Sequence, residues 1–291
     1  MVLLLLLAVD CMALEQEAQG AMSGRQYAAA TKRYEDAVAA CPGNRSIQLG
    51  LAGAYLMDRR PKEALAEAER VLAAAPAESA ALKIKGNSAY LLGDTGKAID
   101  TFIRLLDLHP NDGDGAYMLG RIYYQEGRID HAIGQFERAL KTSPGSYKAL
   151  DNLGLCYAAR GDDEQATRYF LSAIKLVEKD HPEYEWPYTN LAELLLKKND
   201  PRTAFDAASK AANRNPTSPR SFYVGAKALE QLGKNEESLN WTQRAASLDP
   251  EYSDAWYLMA RLYRKLGQEG KAEEARRRFT VAKAKEPARR K

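Results

Sequence analysis

Seven prolines set the frame of this sequence. Pro42, Pro76, Pro110 and Pro144 stand 34 residues apart, Pro182 comes 38 after Pro144, and Pro216 and Pro250 resume the interval of 34. Each follows a run with helical periodicity, and proline stops a helix because it lacks an N–H and its ring clashes with the preceding turn. A chain of 291 residues exceeds one ordinary compact domain. Stops at a fixed interval favour one long array of repeated units over two unrelated domains. The chain is Ala-rich with 28% charged residues, which suits helices with small buried faces and solvated outer faces, so an all-α fold is expected.

Frames of residues 11–44, 45–78, 79–112, 113–146, 147–184, 185–218, 219–252 and 253–286 align more than prolines. The eighth position reads Ala18, Ala52, Gly86, Gly120, Gly154, Ala192, Ala226 and Ala260. The twentieth reads Ala30, Ala64, Ala98, Ala132, Ala166, Ala204, Ser238 and Ala272. Larger apolar residues surround them at helical spacing: Ala116, Leu119 and Tyr123, then Phe136 and Ala139 in the fourth frame; Leu150, Leu153 and Tyr157, then Phe170 and Ala173 in the fifth. Offsets of three and four place these groups on one stripe of each of two helices, so each frame reads as a helical hairpin. Small residues let the paired helices approach closely, and aromatic residues fill the wedge between hairpins. Gly93, Gly127, Gly161, Gly233 and Gly267 mark the turn inside a hairpin, where glycine ends a helix in the left-handed conformation. Pro61 and Pro201 follow two residues later in their own frames, at the start of a second helix. In the fifth frame IKLVEKDH extends the second helix by four residues, about one turn, which keeps the apolar stripe nearly in phase.

The pattern resembles the tetratricopeptide repeat, whose W-x2-L-G-x2-Y, A-x3-F, P signature appears here in spread-out form over residues 11–286. The first frame departs at Glu17, in the leucine position, and the last at Arg276, in the aromatic position, as terminal capping repeats do. The resemblance implies an all-α, right-handed α-α superhelical solenoid of eight helix-turn-helix repeats. It also implies that the second face of each first helix lines a concave groove that binds a partner peptide or segment.

Positions two, five, nine and twelve of a frame point away from the core set, at about 100° per residue. The groove set derived from them is Lys83, Asn87 and Tyr90 in the third frame and Tyr117, Arg121 and Tyr124 in the fourth. Lys148 and Asn152 follow in the fifth, Tyr223 and Lys227 in the seventh, and Arg261 in the eighth, with Asp151, Arg220, Tyr257 and Arg264 beside them. Tyrosines interleaved with Asn and Arg suit peptide recognition, because the ring supplies contact area at low entropic cost and the polar groups pair with a peptide. In some co-chaperones of the family a carboxylate clamp of Lys, Asn, Asn, Lys and Arg spans three repeats. Lys83, Asn87 and Lys148 match it, whereas Met118 and Asn152 stand where it has Asn and Arg.

No catalytic, cofactor or metal constellation accompanies these residues. His109, His131 and His181 lie in different frames, and no phosphate loop, nucleophile elbow or ligand cluster appears. Function is therefore expected to be that of a noncatalytic scaffold with a protein or peptide partner, no cofactor and no small-molecule substrate. The alternative is an exported cell-envelope assembly factor acting through its outer surface. The outsider is a nucleic-acid or anionic-membrane binder, because residues 261–291 carry 12 Lys/Arg against 4 Glu while the rest has 30 basic and 35 acidic residues. Residues 287–291 form a basic tail.

Two N-terminal features bear on location. The apolar run Val2–Val9 is too short to span a bilayer but has the character of a signal core, and residues 1–13 would then be removed, leaving a chain that begins near Leu14. Export to an envelope or periplasmic space follows from that reading, and a cytoplasmic location from the alternative of a plain apolar cap; membrane association through the N-terminus fits the first. Cys11, Cys41 and Cys156 lack metal-ligand spacing and are expected as free thiols.

Overall fold

The computed structural model describes residues 10–289; the run Val2–Val9 and the tail residues Arg290 and Lys291 lie outside them. Among the described residues there are sixteen helices and no strand. They form an all-α helical-repeat solenoid whose contacts divide it into two compact units, Met1–Pro144 and Gly145–Lys291. In the first unit α1 (Cys11–Ser23) pairs with α2 (Tyr27–Ala40), α3 (Arg45–Met57) with α4 (Pro61–Ala74), α5 (Ser79–Leu91) with α6 (Thr95–Leu108), and α7 (Gly113–Gln125) with α8 (Ile129–Thr142). In the second α9 (Tyr147–Arg160) pairs with α10 (Asp163–Asp180), α11 (Trp186–Lys197) with α12 (Pro201–Arg214), α13 (Pro219–Gln231) with α14 (Asn235–Leu248), and α15 (Ser253–Lys265) with α16 (Glu269–Arg289).

Local chemistry sets the ends of these helices. The second helix of each of the first seven hairpins stops two residues before its proline, because the residue preceding proline is held in extended backbone. Inside the hairpins all eight turns place one residue in the left-handed region. Five are the glycines named above, at φ between 71° and 85°. The other three are Arg25, Arg59 and Asn199, at φ 55°, 59° and 60°. The bond from Asp94 N to Ala89 O, at 2.9 Å, closes the turn after α5, and Arg60 N to Tyr55 O, at 2.8 Å, closes the one after α3 in the same way.

In the third, fourth and fifth hairpins the core is a glycine facing a phenylalanine ring. A methyl group built on Gly86 would lie 2.7 Å from the Phe102 ring, and one on Gly120 2.8 Å from the Phe136 ring, so these helices pack at a distance that only glycine permits. Phe102, Phe136 and Phe170 are fully buried.

The four added residues lengthen α10 to 18 residues where α2, α4, α6 and α8 have 14. A compensating change accompanies the extra turn. In the third and fourth hairpins an arginine on the second helix donates to carbonyls at or just beyond the end of the preceding second helix. Arg104 reaches Pro76 O at 3.0 Å, and Arg138 reaches Leu106 O at 2.9 Å and Pro110 O at 2.8 Å. On α12 the corresponding position holds Lys210, and the contact is made one turn later by Arg214, which donates to Val177 O, His181 O and Pro182 O at 3.3, 3.4 and 3.0 Å.

The thiol expectation is corrected. Cys11 and Cys41 form a disulfide across a Cα–Cα distance of 6.0 Å; Cys156 alone is free, and it is buried. Cys11 opens α1 and Cys41 caps the end of α2, so the antiparallel hairpin brings together residues separated by 30 in sequence. Asp10 caps α1 by accepting from Met12 N and Ala13 N at 3.0 and 3.1 Å. A chain beginning at Leu14 would lose both the cap and the disulfide.

Candidate functional site

The groove residues fall into two sets, because α5 and α7 belong to the first unit and α9, α13 and α15 to the second. In the first unit two ties hold α5 against α7. At one end Asp112 caps α7 through Gly115 N, at 2.8 Å, and also accepts from Ser79 Oγ at 2.8 Å and Lys83 Nζ at 3.2 Å. Burial of this carboxyl works against its charge, but the Gly115 N–H, the Ser79 hydroxyl and Lys83 outweigh it and hold the group below the usual carboxylate range. At the other end the Tyr90 hydroxyl donates to Gln125 Oε1. Lys83 and Tyr90 are thus partly committed to holding α5 against α7.

Between these ties lie Asn87, Tyr117, Arg121 and Tyr124, all half-buried. The Tyr117 ring rests on Phe136 with centroids 5.8 Å apart, which anchors a groove side chain directly on the core. Asn87 Oδ1 is buried without a hydrogen-bond partner. Arg121 donates to Met118 Sδ at 3.8 Å and makes no ion pair among the described residues, so its charge lacks a counter-ion.

In the second unit the groove chemistry is largely paired with itself. Asp151, on α9 and 3% exposed, accepts from Asn190 Nδ2 at 2.8 Å. Asn190 Oδ1 accepts from Arg220 Nη2 at 3.0 Å, and Arg220 meets Glu193 through two bonds of 2.9 and 2.6 Å. Burial pushes the Asp151 carboxyl up to about 7; Glu185 adds to that push, while Asn190, Arg220 and Tyr184 pull against it. Trp186, 44% exposed, lies under the Arg220 guanidinium at 5.5 Å. Trp186, Asn190 and Glu193 belong to the sixth frame, which supplied nothing to the sequence-derived set. Trp186 and Glu193, at positions two and nine, were readable from the same periodicity, whereas Asn190, at position six, was not.

Further along, Tyr223 packs edge-on against Tyr252 at 5.2 Å with Lys227 Nζ 5.7 Å from its ring, and burial pushes its hydroxyl up to about 12. Arg261 grips Glu230 through two nitrogens, and Lys265 joins the same carboxylate at 2.7 Å. Lys148 is exposed, 5.8 Å from the Tyr147 ring, and its carbonyl accepts from Asn152 Nδ2 at 2.8 Å.

Tetratricopeptide-repeat family models match residues 21–87, 84–147, 117–181 and 241–274. The chain belongs to the tetratricopeptide-repeat family. Among similar proteins, the Protein CTR9 homolog of Arabidopsis thaliana is 25% identical over 256 residues, 74% of this chain and 24% of that protein. BBSome complex member bbs-4 of Caenorhabditis elegans is 25% identical across 58% of this chain and 36% of its own length. DnaJ homolog subfamily C member 7 of Mus musculus is 23% identical across 62% and 38%. This tetratricopeptide-repeat chain therefore spans about a quarter to two-fifths of these relatives.

Solved structures show the same fold. A tetratricopeptide repeat protein from Parabacteroides merdae superposes with a TM-score of 0.66 at 18% identity, covering 87% of this chain and 98% of that one. A chain of the APC/C hetero-tetramer Cut9-Hcn1 gives 0.72 at 17% identity, covering 84% of this chain and 48% of that one. Fold and relatives together support a protein–protein interaction scaffold.

Proposed function

We propose that this chain is a noncatalytic scaffold that binds a segment of a partner protein in the α5–α7 groove of its first unit. One observation carries the reading: Arg121 is a half-buried cation without a carboxylate, flanked by Tyr117 and Tyr124 in a groove whose two ends are already tied. Leaving a guanidinium partly desolvated and without a counter-ion costs free energy that a partner carboxylate would recover. The second-unit groove offers less, since Arg220 and Arg261 each hold a carboxylate of their own. The family resemblance and the name of one relative, BBSome complex member bbs-4, support a protein partner. Capture of partners by the full chain, by Tyr117→Ala/Arg121→Ala and by Ile103→Glu on α6 tests the assignment. Loss with the double variant alone is expected; loss with Ile103→Glu alone assigns binding to the other surface.

A second reading concerns location. The Cys11–Cys41 disulfide favours an oxidising compartment, because cytosolic thiols are kept reduced, and it supports export with a mature chain that retains Cys11. Protein isolated from its host and treated with a thiol-alkylating reagent should gain two labels only after reduction under denaturing conditions beyond the one due to Cys156. Three labels without reduction would place the chain in a reducing compartment.

A further inference from the structure

In the third, fourth and seventh hairpins the arginine at the twenty-sixth position of the frame crosses the groove between consecutive second helices to a proline carbonyl. Arg104 reaches Pro76 O at 3.0 Å, Arg138 reaches Pro110 O at 2.8 Å and Arg244 reaches Pro216 O at 3.5 Å. In the eighth hairpin that carbonyl has a different donor. Trp256, at the fourth position where the third and fourth frames hold Leu82 and Ala116, donates its indole Nε1–H to Pro250 O at 2.8 Å. Arg278, at the twenty-sixth position, turns back along α16 to Glu274 at 3.1 Å and lies 5.9 Å from the Trp256 ring.

The exchange leaves the groove between α14 and α16 open, as a cavity of about 420 Å³ floored by Ala246, Pro250, Trp256 and Met259. The corresponding groove between α4 and α6 is bridged by charge. There Lys85, at the seventh position, and Lys97 on α6 both reach Glu69, at the twenty-fifth position of the preceding frame, at 3.2 and 3.1 Å. In the eighth hairpin the seventh position is the buried Met259, and the preceding twenty-fifth position is Gln243, whose amide donates to the Tyr263 hydroxyl at 2.9 Å. Among the described residues no ion pair joins α14 to α16. The floor therefore offers an aromatic ring, a flexible thioether and a pyrrolidine, surfaces that adapt to an apolar side chain.

We propose that the α14–α16 groove seats an apolar side chain of a partner protein, with an acidic residue beside it in the same segment facing Arg278. Two observations select that occupant. The Pro250 carbonyl is already satisfied by Trp256, so a group entering there meets no acceptor in need of a donor, which favours an apolar side chain over a lysine or arginine. At the rim one carboxylate, Glu274, is shared by Arg277 at 2.7 Å and Arg278 at 3.1 Å, so positive charge exceeds negative and an acidic neighbour complements it. The proposal rests on the scaffold reading but uses neither Tyr117 nor Arg121.

The test follows two nuclear magnetic resonance signals of the full chain, the Trp256 indole N–H and the Met259 methyl group. Ser/Gly peptides with acetylated and amidated ends, carrying Phe-Glu, Phe-Lys or Ala-Glu at their centre, are added to millimolar concentration, and decanoate is titrated separately. The expected result is movement of both signals by the Phe-Glu peptide and at least tenfold weaker binding of the other two. Ser247→Trp, which covers the groove from the exposed face of α14, should abolish binding with the helical circular dichroism unchanged. Arg278→Glu should reverse the preference between Phe-Glu and Phe-Lys, and Tyr117→Ala/Arg121→Ala should bind the Phe-Glu peptide as the native chain does. Unmoved signals, equal binding of the three peptides, or full binding by Ser247→Trp overturns the proposal. So does decanoate binding as tight as that of the Phe-Glu peptide, which would make this an acyl-chain site, or self-association of the chain that Ser247→Trp removes, which would assign the groove to a second copy. Loss of the peptide in Tyr117→Ala/Arg121→Ala but not in Ser247→Trp would overturn this groove and leave the α5–α7 groove standing.

Discussion

Gly120 and Gly134 both interrupt helices of the first unit, yet an added methyl group meets opposite surroundings at the two. At Gly120 it would lie 2.8 and 2.9 Å from two atoms of the fully buried Phe136 ring, and at Gly134 nothing lies within 4 Å. In an open helix alanine is favoured over glycine by about 1 kcal/mol, whereas overpacking a core costs about 1–3 kcal/mol. Thermal melting followed by circular dichroism should therefore rise for Gly134→Ala and fall for Gly120→Ala; a rise in both would mean that the ring yields freely. Gly120→Leu should be still more damaging, and Ala159→Leu mild, since Ala159 is exposed. The small eighth position was legible because it recurs in phase. The ionisation of Asp151 was not, because it depends on burial by α11 and α13. Its carboxyl, raised to about 7 from an ordinary value near 4, holds its proton more tightly when folded. Stability thus falls as pH rises from about 4 to about 7, by roughly 1.4 kcal/mol per pKa unit, and the penalty is complete above that range. Asp151→Asn keeps an oxygen for Asn190 without the charge. It should melt above the native chain at pH 8, with the difference shrinking toward pH 5; a difference independent of pH would contradict the burial account.

At the scale of helices, the sequence exposed whatever is encoded locally and missed what is encoded across a hairpin. Prolines end the second helices because their effect needs only the neighbouring residue, and the five glycines mark turns for the same reason. Arg25, Arg59 and Asn199 adopt the same left-handed backbone without that signal, held there by the two helices they join. Arg59→Gly should consequently stabilise the first unit, since side chains disfavour this region by about 1 kcal/mol or more; an unchanged or lower melting point would show that Arg59 is not strained. The extra turn of α10 was legible as a slip of four, but its partner change on α12 was not, since only the fold shows where an arginine must reach. Arg214→Ala removes donors to three carbonyls and should cost about 1–3 kcal/mol, against roughly 0.5 kcal/mol or less for Lys210→Ala. Comparable losses in urea melts would remove the capping role. Reduction of Cys11–Cys41 should release constraint on the order of 3 kcal/mol from the first hairpin. Melting with and without reductant measures it, and the buried Cys156 thiol, pushed up to about 12 by its surroundings, should stay unreactive in the folded chain.

For the whole molecule, the repeat pattern conveys the solenoid and the expectation of a scaffold, while the groove's use depends on which charges the fold has already paired. Lys83 and Arg121 look alike in sequence, as groove cations in successive frames, but Lys83 ties α5 to Asp112 and Arg121 does not have a carboxylate. The same distinction separates Arg264 from Arg261 in the last hairpin. Counter-ions on neighbouring helices decide these cases, and no periodicity shows them. Arg121 and Tyr117 are proposed to bind an acidic segment of a partner. Calorimetric titration of a peptide selected from a display library on the intact chain tests it most directly, with native protein, Tyr117→Ala/Arg121→Ala, and Arg121→Glu. A loss of at least 2 kcal/mol, about thirtyfold in Kd, is expected for the double variant. Arg121→Glu should recover binding when the peptide's acidic residue is replaced by lysine. Unchanged affinity in the double variant, or no recovery by the charge exchange, would contradict it.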